Sequence, residues 1–196
     1  MTASGPEPSP DLARRFHQHV LADVEYLKTR GYNPVRFTGL IAQKGGAVAA
    51  GKQLLADRCA KAPQVQVCYG DGLSAAAINA HLEVFHPALL RELAARGLRV
   101  GTPVFVRHSR VKVMDEIARL TDAEACVFTC GERPGLGFAD SMSAYYIYRP
   151  ASGATDADRE VLSNINPRGF EPVKAAAVVA DACVRILRDQ KSGVVL

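Results

Sequence analysis

The residues with the clearest chemical potential lie in segment 130–137 (CGERPGLG), where a carboxylate and a guanidinium stand among glycines and a proline. This segment follows the apolar run 125–129 (ACVFT), and such a run breaking into glycine and proline indicates a buried strand that opens into a tight loop. In open α/β sheets, loops at the carboxyl ends of strands hold ligands, and glycine lets a ligand approach the backbone. Glu132 could act there as a general base. The alternative is a solvated turn in which Glu132 and Arg133 have no role.

A second candidate is segment 70–75 (GDGLSA), which matches the G-x-G-x-x-A outline of a dinucleotide-binding turn. The backbone amides of such a turn and the following helix N-terminus attract anions. Asp71 between the glycines would repel a pyrophosphate, and Arg107 and His108 stand where the pattern needs an acidic residue for the ribose. Because an arginine could favour a 2′-phosphate, an NADP-dependent oxidoreductase is an alternative function.

The cysteines and histidines form no metal-ligand pattern. The five cysteines are spread through apolar segments and are typical of a reducing cytosol. Cys126 and Cys130 are expected on one face of a single strand, with no second pair to complete a zinc site. His17 and His19 lie two residues apart, on different faces of a predicted helix. No G-x-S-x-G elbow or P-loop occurs, so we expect neither a metal site nor a catalytic residue set in this chain.

The elements that would position these segments alternate along the chain. Strands are predicted at residues 65–69, 104–106, 125–129 and 145–148, and helices at 11–27, 47–60, 75–82, 87–95, 113–120 and 172–190. Strands alternating with helices favour an α/β domain of three layers, in which helices cover both faces of a mostly parallel sheet. The helices predicted before residue 63 would precede this domain.

Length and composition narrow the class further. The 196 residues are 48% hydrophobic, which suits one large domain with a helical N-terminal part. Three prolines, two serines and a glycine make residues 1–10 a predicted disordered leader, followed by a helical segment 11–62 and the main domain 63–196. The net charge of +4 comes from scattered residues, so nucleic acid is not an expected partner. A membrane span and a signal peptide are not expected either.

From about residue 65 onward, the chain carries short motifs in a characteristic order. They are residues 71–74 (DGLS), 100–103 (VGTP), 105–107 (FVR), 110–112 (RVK), 131–137 (GERPGLG), 157–159 (ADR), 163–165 (SNI) and 191–193 (KSG). In these motifs the chain resembles the small (light) subunit family of ethanolamine ammonia-lyase, over about two thirds of its length.

The resemblance implies an activity, a cofactor and a partner. Enzymes of this family use adenosylcobalamin to convert ethanolamine to acetaldehyde and ammonia, and the substrate lies in a barrel-shaped large subunit. The small subunit is a Rossmann-like domain that covers the corrinoid at the subunit interface and is not active alone. This implies a cytoplasmic protein, with a bacterial microcompartment as a further option. The alternative is a non-catalytic corrinoid-binding or scaffold homologue.

Three residues of this chain match the family positions that contact the cobalamin. They are Val111, Glu132 and Val161. A valine can pack against corrin methyl groups, and a carboxylate can hydrogen-bond the peripheral amides. The third family position is a cysteine, so Val161 keeps apolar volume there without the sulfur.

Overall fold

The structure is a computed structural model that describes residues 46–132 and 138–194. It is a mixed α/β fold around a five-stranded sheet with the strand order β2-β1-β3-β4-β5. The strands are β1 (Val65–Gly70), β2 (Val104–Val106), β3 (Ala125–Gly131), β4 (Met142–Tyr148) and β5 (Glu160–Ile165). The helices are α1 (Gly46–Arg58), α2 (Ala75–Ala95), α3 (Val113–Thr121) and α4 (Pro172–Asp189), and a 3₁₀ turn spans Asp156–Asp158.

The pairing of the strands only partly matches the prediction of a mostly parallel sheet. Strand β1 pairs in parallel with β2 and β3, whereas β4 is antiparallel to both β3 and β5. A parallel connection needs a dozen or more residues to cross over the sheet. Only residues 132–141 separate β3 from β4, and only 149–159 separate β4 from β5, so β4 returns antiparallel and the sheet is mixed.

Helices lie against both faces of the sheet. One buried cluster joins α2 and α4 to alternate strand residues such as Tyr69 and Val127, and we call this the α2–α4 face. A second cluster joins α1 and α3 to the intervening strand residues, and we call this the α1–α3 face. Cys126 and Cys130 both lie on the α1–α3 face, as predicted, because side chains alternate with a period of two along β3.

The helices predicted at 75–82 and 87–95 are one continuous helix, α2. The prediction separated them at Pro87, since proline lacks the N–H that an interior helical position donates. The apolar stripe, however, runs past the proline at helical spacing, and its members are buried against the sheet: Ile78, Leu82, Phe85, Leu89 and Leu93. Burial of this stripe keeps the helix intact across Pro87.

The prediction also missed strand β5. Its sequence EVLSNI is polar at three of its six positions and buries only its last residue fully, because β5 lies at the edge of the sheet. The helix predicted at 47–60 is present as α1. The helix predicted at 11–27, the leader at 1–10 and most of segment 11–62 lie outside the described residues. Among the helices of the described ranges, none is long and apolar enough to cross a membrane.

A half-buried histidine of α2, His86, predicts a pH dependence of stability. The Tyr69 hydroxyl lies 2.6 Å from His86 Nδ1, and burial lowers the pKa of His86 from 6.5 to about 4. The unfolded chain takes up this proton near pH 6.5 and the folded chain only near pH 4. The free energy of unfolding should therefore fall as the pH decreases between these values, by on the order of 2 kcal/mol from pH 7 to pH 5.

The variant His86→Gln isolates this contribution. Its amide oxygen can still accept a hydrogen bond from Tyr69, but the side chain does not titrate. Urea unfolding at pH 5 and pH 7 should show a smaller stability difference in the variant than in the wild type. Equal differences in the two proteins would mean that His86 does not carry the effect.

Candidate functional site

The loops that follow β1 and β2 are bound to each other at the carboxyl edge of the sheet. Asp71 Oδ1 accepts a hydrogen bond from the His108 backbone N–H at 2.5 Å, and the Gly72 N–H donates to the Ser109 carbonyl oxygen at 3.2 Å. A Cβ atom at Gly72 would overlap the Ser109 backbone. Contact between the two loops therefore explains this glycine without a bound pyrophosphate, which weakens the dinucleotide interpretation of segment 70–75.

Glu132 stands directly after β3 and connects three strands. Its backbone N–H donates to the Ser141 carbonyl oxygen at 2.8 Å. Its carboxylate oxygen Oε1 accepts hydrogen bonds from the Ser143 hydroxyl at 2.7 Å and from the Asn164 backbone N–H at 2.6 Å. A carboxylate has about four acceptor positions. Glu132 is thus fixed against β4 and β5 and keeps capacity for further hydrogen bonds.

Val161 lies on β5, on the same side of the sheet as Tyr145, its partner in the register with β4. Its side chain is 48% exposed, which is high for a large apolar residue in a strand. Tyr145 packs at the border of the buried cluster of the α1–α3 face, whereas within the described residues β5 adds no side chain to that cluster. This side of the sheet is therefore open beyond Tyr145.

Val111 lies in the loop between β2 and α3, where its carbonyl oxygen accepts a hydrogen bond from the Met114 N–H at 3.1 Å. Its side chain is partly buried against the same cluster that Tyr145 borders. The position predicted for an apolar contact is thus placed at the start of α3, next to the sheet.

A buried ion pair ties the segments of Val111 and Val161 together. Asp115, in the first turn of α3, pairs with Arg159, the residue before β5. Arg159 also donates to the Thr155 carbonyl oxygen, and its side chain is only 2% exposed. Burial raises the pKa of the Asp115 carboxyl, and the Arg159 guanidinium opposes this rise. The pair joins the first turn of α3 to the residue before β5. Val111 and Val161 adjoin the same side of the sheet at Tyr145, which packs in one cluster with Val111 and lies opposite Val161.

Tyr145 is a residue of this surface that the sequence analysis did not select. Burial raises the pKa of its phenol, and the nearby Cys130 and Glu132 raise it further, while a hydrogen bond with Ser143 lowers it. The phenol is therefore a neutral hydrogen-bonding group at pH 7. Alternation along β4 places Ser143 and Tyr145 on one face, a signal that the sequence does contain.

We call this surface the open face and define it by five residues: Val111, Glu132, Tyr145, Val161 and Ser163. The Ser163 hydroxyl lies 3.2 Å from the Ser143 hydroxyl, and Ser163 is exposed. The open face joins apolar side chains to a carboxylate and hydroxyl groups. Such a surface can hold a large, mainly apolar ligand and accept hydrogen bonds from N–H groups on its rim.

Within the described residues, the open face borders neither an ionised thiol nor a group of side chains placed to hold a metal ion. Burial, with a smaller contribution from Glu132, raises the pKa of the neighbouring Cys130 thiol to about 12, so this thiol is neutral at pH 7. In the ranges 46–132 and 138–194, no group of His, Cys, Asp or Glu side chains is placed to hold a metal ion. Most of the glycine-rich loop, residues 133–137, lies outside the described residues, so of this candidate loop only Cys130, Gly131 and Glu132 are described.

The structure thus brings the three predicted contact residues to one side of the sheet, with Glu132 directly after β3 and Val161 opposite Tyr145 within the sheet. A family comparison covers this whole region of the chain. The family model of the ethanolamine ammonia-lyase light chain (EutC) matches residues 45–196, which include all five residues of the open face. The match extends over more than half of the chain, and the protein belongs to the ethanolamine ammonia-lyase light chain family.

Proposed function

We propose that this light chain covers the corrinoid of an adenosylcobalamin-dependent ethanolamine ammonia-lyase, at the interface with the heavy chain. The observation that carries the proposal is the open face, where Val161 is 48% exposed on the same side of the sheet as the fixed Glu132 carboxylate. Exposed apolar surface with a polar rim is typical of a binding site. A corrinoid matches it chemically, because its ring carries methyl groups and peripheral amides.

Each residue of the open face then has a physical role. Val111 and Val161 would pack against corrin methyl groups, and Tyr145 would lie between them as the floor of the site. Glu132 would accept a hydrogen bond from a peripheral amide N–H. Homolysis of the cobalt–carbon bond is the chemistry that adenosylcobalamin supplies when bound, and the protein orients it and excludes side reactions. All of these residues belong to the proposed domain 63–196.

A second candidate function is a non-catalytic corrinoid-binding or scaffold protein. Val161 favours it, because this residue replaces the cysteine that the family resemblance implies. We further propose a cytoplasmic location, either free or inside a bacterial microcompartment, since the activity belongs to ethanolamine catabolism.

An experiment on the complex with the heavy chain distinguishes the two proposed functions. Both chains are co-expressed and purified together, adenosylcobalamin is added, and the visible absorption of the retained corrinoid and the acetaldehyde produced from ethanolamine are measured. Retained corrinoid with turnover supports the lyase subunit. Retained corrinoid without turnover supports the scaffold. A complex that retains no corrinoid contradicts both.

Glu132 variants test the assignment of the carboxylate. Glu132→Ala should weaken corrinoid retention in the complex by about 1–3 kcal/mol, since a buried amide would lose its acceptor. Glu132→Gln should lose less, because its amide oxygen can still accept one hydrogen bond. Glu83→Ala, on an exposed position of α2, is the matched control and should bind like the wild type. Titrations that show equal affinity for Glu132→Ala and the wild type would remove Glu132 from the site.

A further inference from the structure

We propose that Asn164 and Asn166 are positioning residues that hold the Glu132 carboxylate in the direction in which it meets a corrinoid amide. The inference rests on the proposed function and extends it to residues that do not themselves need to touch the ligand. Its basis is a closed ring of hydrogen bonds around Glu132, formed by residues that lie far apart in sequence.

The ring runs from the backbone of Glu132 back to its side chain. The Glu132 N–H donates to the Ser141 carbonyl oxygen at 2.8 Å, and the Ser141 hydroxyl accepts from Asn166 Nδ2 at 3.1 Å. Asn166 Nδ2 also donates to Asn164 Oδ1 at 2.8 Å. The Asn164 N–H then closes the ring on Glu132 Oε1 at 2.6 Å. Both ends of Glu132 are therefore held by one network.

The buried part of the network is fully hydrogen-bonded and therefore rigid. Ser141 is 1% exposed and Asn166 is 0% exposed. Asn166 Oδ1 accepts from the Arg168 N–H at 2.9 Å, so both ends of this buried amide are satisfied. Buried polar side chains that are fully hydrogen-bonded fix a single local arrangement. Asn166 thus anchors the end of β5, from which Asn164 reaches Glu132.

Asn164 donates to Glu132 from an unusual backbone conformation. Its φ angle is +62°, in the left-handed region that asparagine and glycine adopt more readily than other residues. The Phe170 N–H donates to the Asn164 carbonyl oxygen at 2.7 Å and holds this turn. The residue type at position 164 therefore decides whether the N–H points at Glu132 Oε1. With Oε1 held in this way, the other acceptor positions of the Glu132 carboxylate remain for a ligand.

The conformation of Asn164 gives a matched pair of variants. Asn164→Gly keeps the backbone N–H and suits a positive φ, whereas Asn164→Val makes the same φ strained.

The complex with the heavy chain is titrated with adenosylcobalamin and with its monocarboxylic acid derivatives, in each of which one peripheral amide is replaced by a carboxylic acid. A fixed Glu132 carboxylate accepts from an amide and repels an acid, so the ratio of the two affinities reports its direction. Thermal unfolding of each complex checks the fold.

The wild type should prefer adenosylcobalamin to at least one acid derivative by about 10-fold. Asn164→Gly keeps the N–H that donates to Glu132 but loses the Oδ1 that accepts from Asn166, so it should retain most of this preference and clearly more than Asn164→Val does. In Asn164→Val the preference should fall to within about 2-fold while the complex stays folded. In Asn166→Ala the preference should also fall, but by less. On a Glu132→Ala background, Asn164→Val should change the ratio no further. A wild-type ratio retained in folded Asn164→Val would overturn the positioning role. A wild type that binds adenosylcobalamin without any preference would overturn it too and leave the proposed function standing, whereas no binding at all would refute the proposed function.

Discussion

Arg159→Ala is expected to lower the free energy of unfolding by about 3–5 kcal/mol, the cost of removing one partner from a buried ion pair. The side chains of Arg159 and Asp115 are 2% and 15% exposed. Without the guanidinium, the Asp115 carboxyl stays buried, and its pKa, already raised by burial, rises further because the opposing charge is gone. Since a domain is stable by only about 5–15 kcal/mol, this loss should lower the urea concentration at the midpoint of unfolding.

Two further variants test whether the loss of stability is specific to the buried ion pair. Arg188 also pairs with an aspartate, but its side chain is 71% exposed, so Arg188→Ala should lower the free energy of unfolding far less than Arg159→Ala does. The double variant Asp115→Leu with Arg159→Met should recover much of the lost stability, because apolar side chains of similar size can replace a buried ion pair. A cost below about 1 kcal/mol for Arg159→Ala would contradict the role of the pair in holding α3 to β5.

The isolated chain is expected to form no acetaldehyde from ethanolamine and adenosylcobalamin. The open face presents a surface on one side of the sheet, so a ligand bound there stays exposed on its other side. Radical chemistry needs an enclosed site that excludes water and side reactions. The light chain would supply one wall of that site, and the heavy chain would supply the rest.

The assay compares three samples at equal protein concentration: the isolated chain, the isolated heavy chain and the two together. Acetaldehyde is measured over time with excess ethanolamine and adenosylcobalamin. Turnover is expected only in the mixture, together with co-elution of the two chains from a sizing column. Sustained turnover by the light chain alone would disprove the covering role.

The elements of this fold were largely readable from local pattern. The predicted strand at 104–106 has the observed bounds of β2, and the helices at 113–120 and 172–190 are each within one residue of α3 and α4. Periodicity also placed Cys126 and Cys130 on one face. These features depend on neighbours in sequence, so the sequence alone is sufficient for them.

Other features depend on contacts between distant segments. Considered with its neighbours alone, Pro87 predicts the end of a helix, but the packing of α2 against the sheet keeps the helix continuous across it. The edge strand β5 is defined by its pairing with β4, because its mixture of polar and apolar residues gives little local signal. The direction of β4 follows from the short connections on either side of it.

The candidate site shows the same division. The family motifs are short and local, and they were sufficient to select Val111, Glu132 and Val161. Folding brings these residues to one side of the sheet, places Tyr145 opposite Val161 and surrounds Glu132 with its hydrogen-bond donors. The physical reason is that Glu132 meets Asn164 across 32 positions of sequence, and Asp115 meets Arg159 across 44. Such contacts exist only once strand order and helix packing are set, since no local pattern encodes which distant side chains will meet.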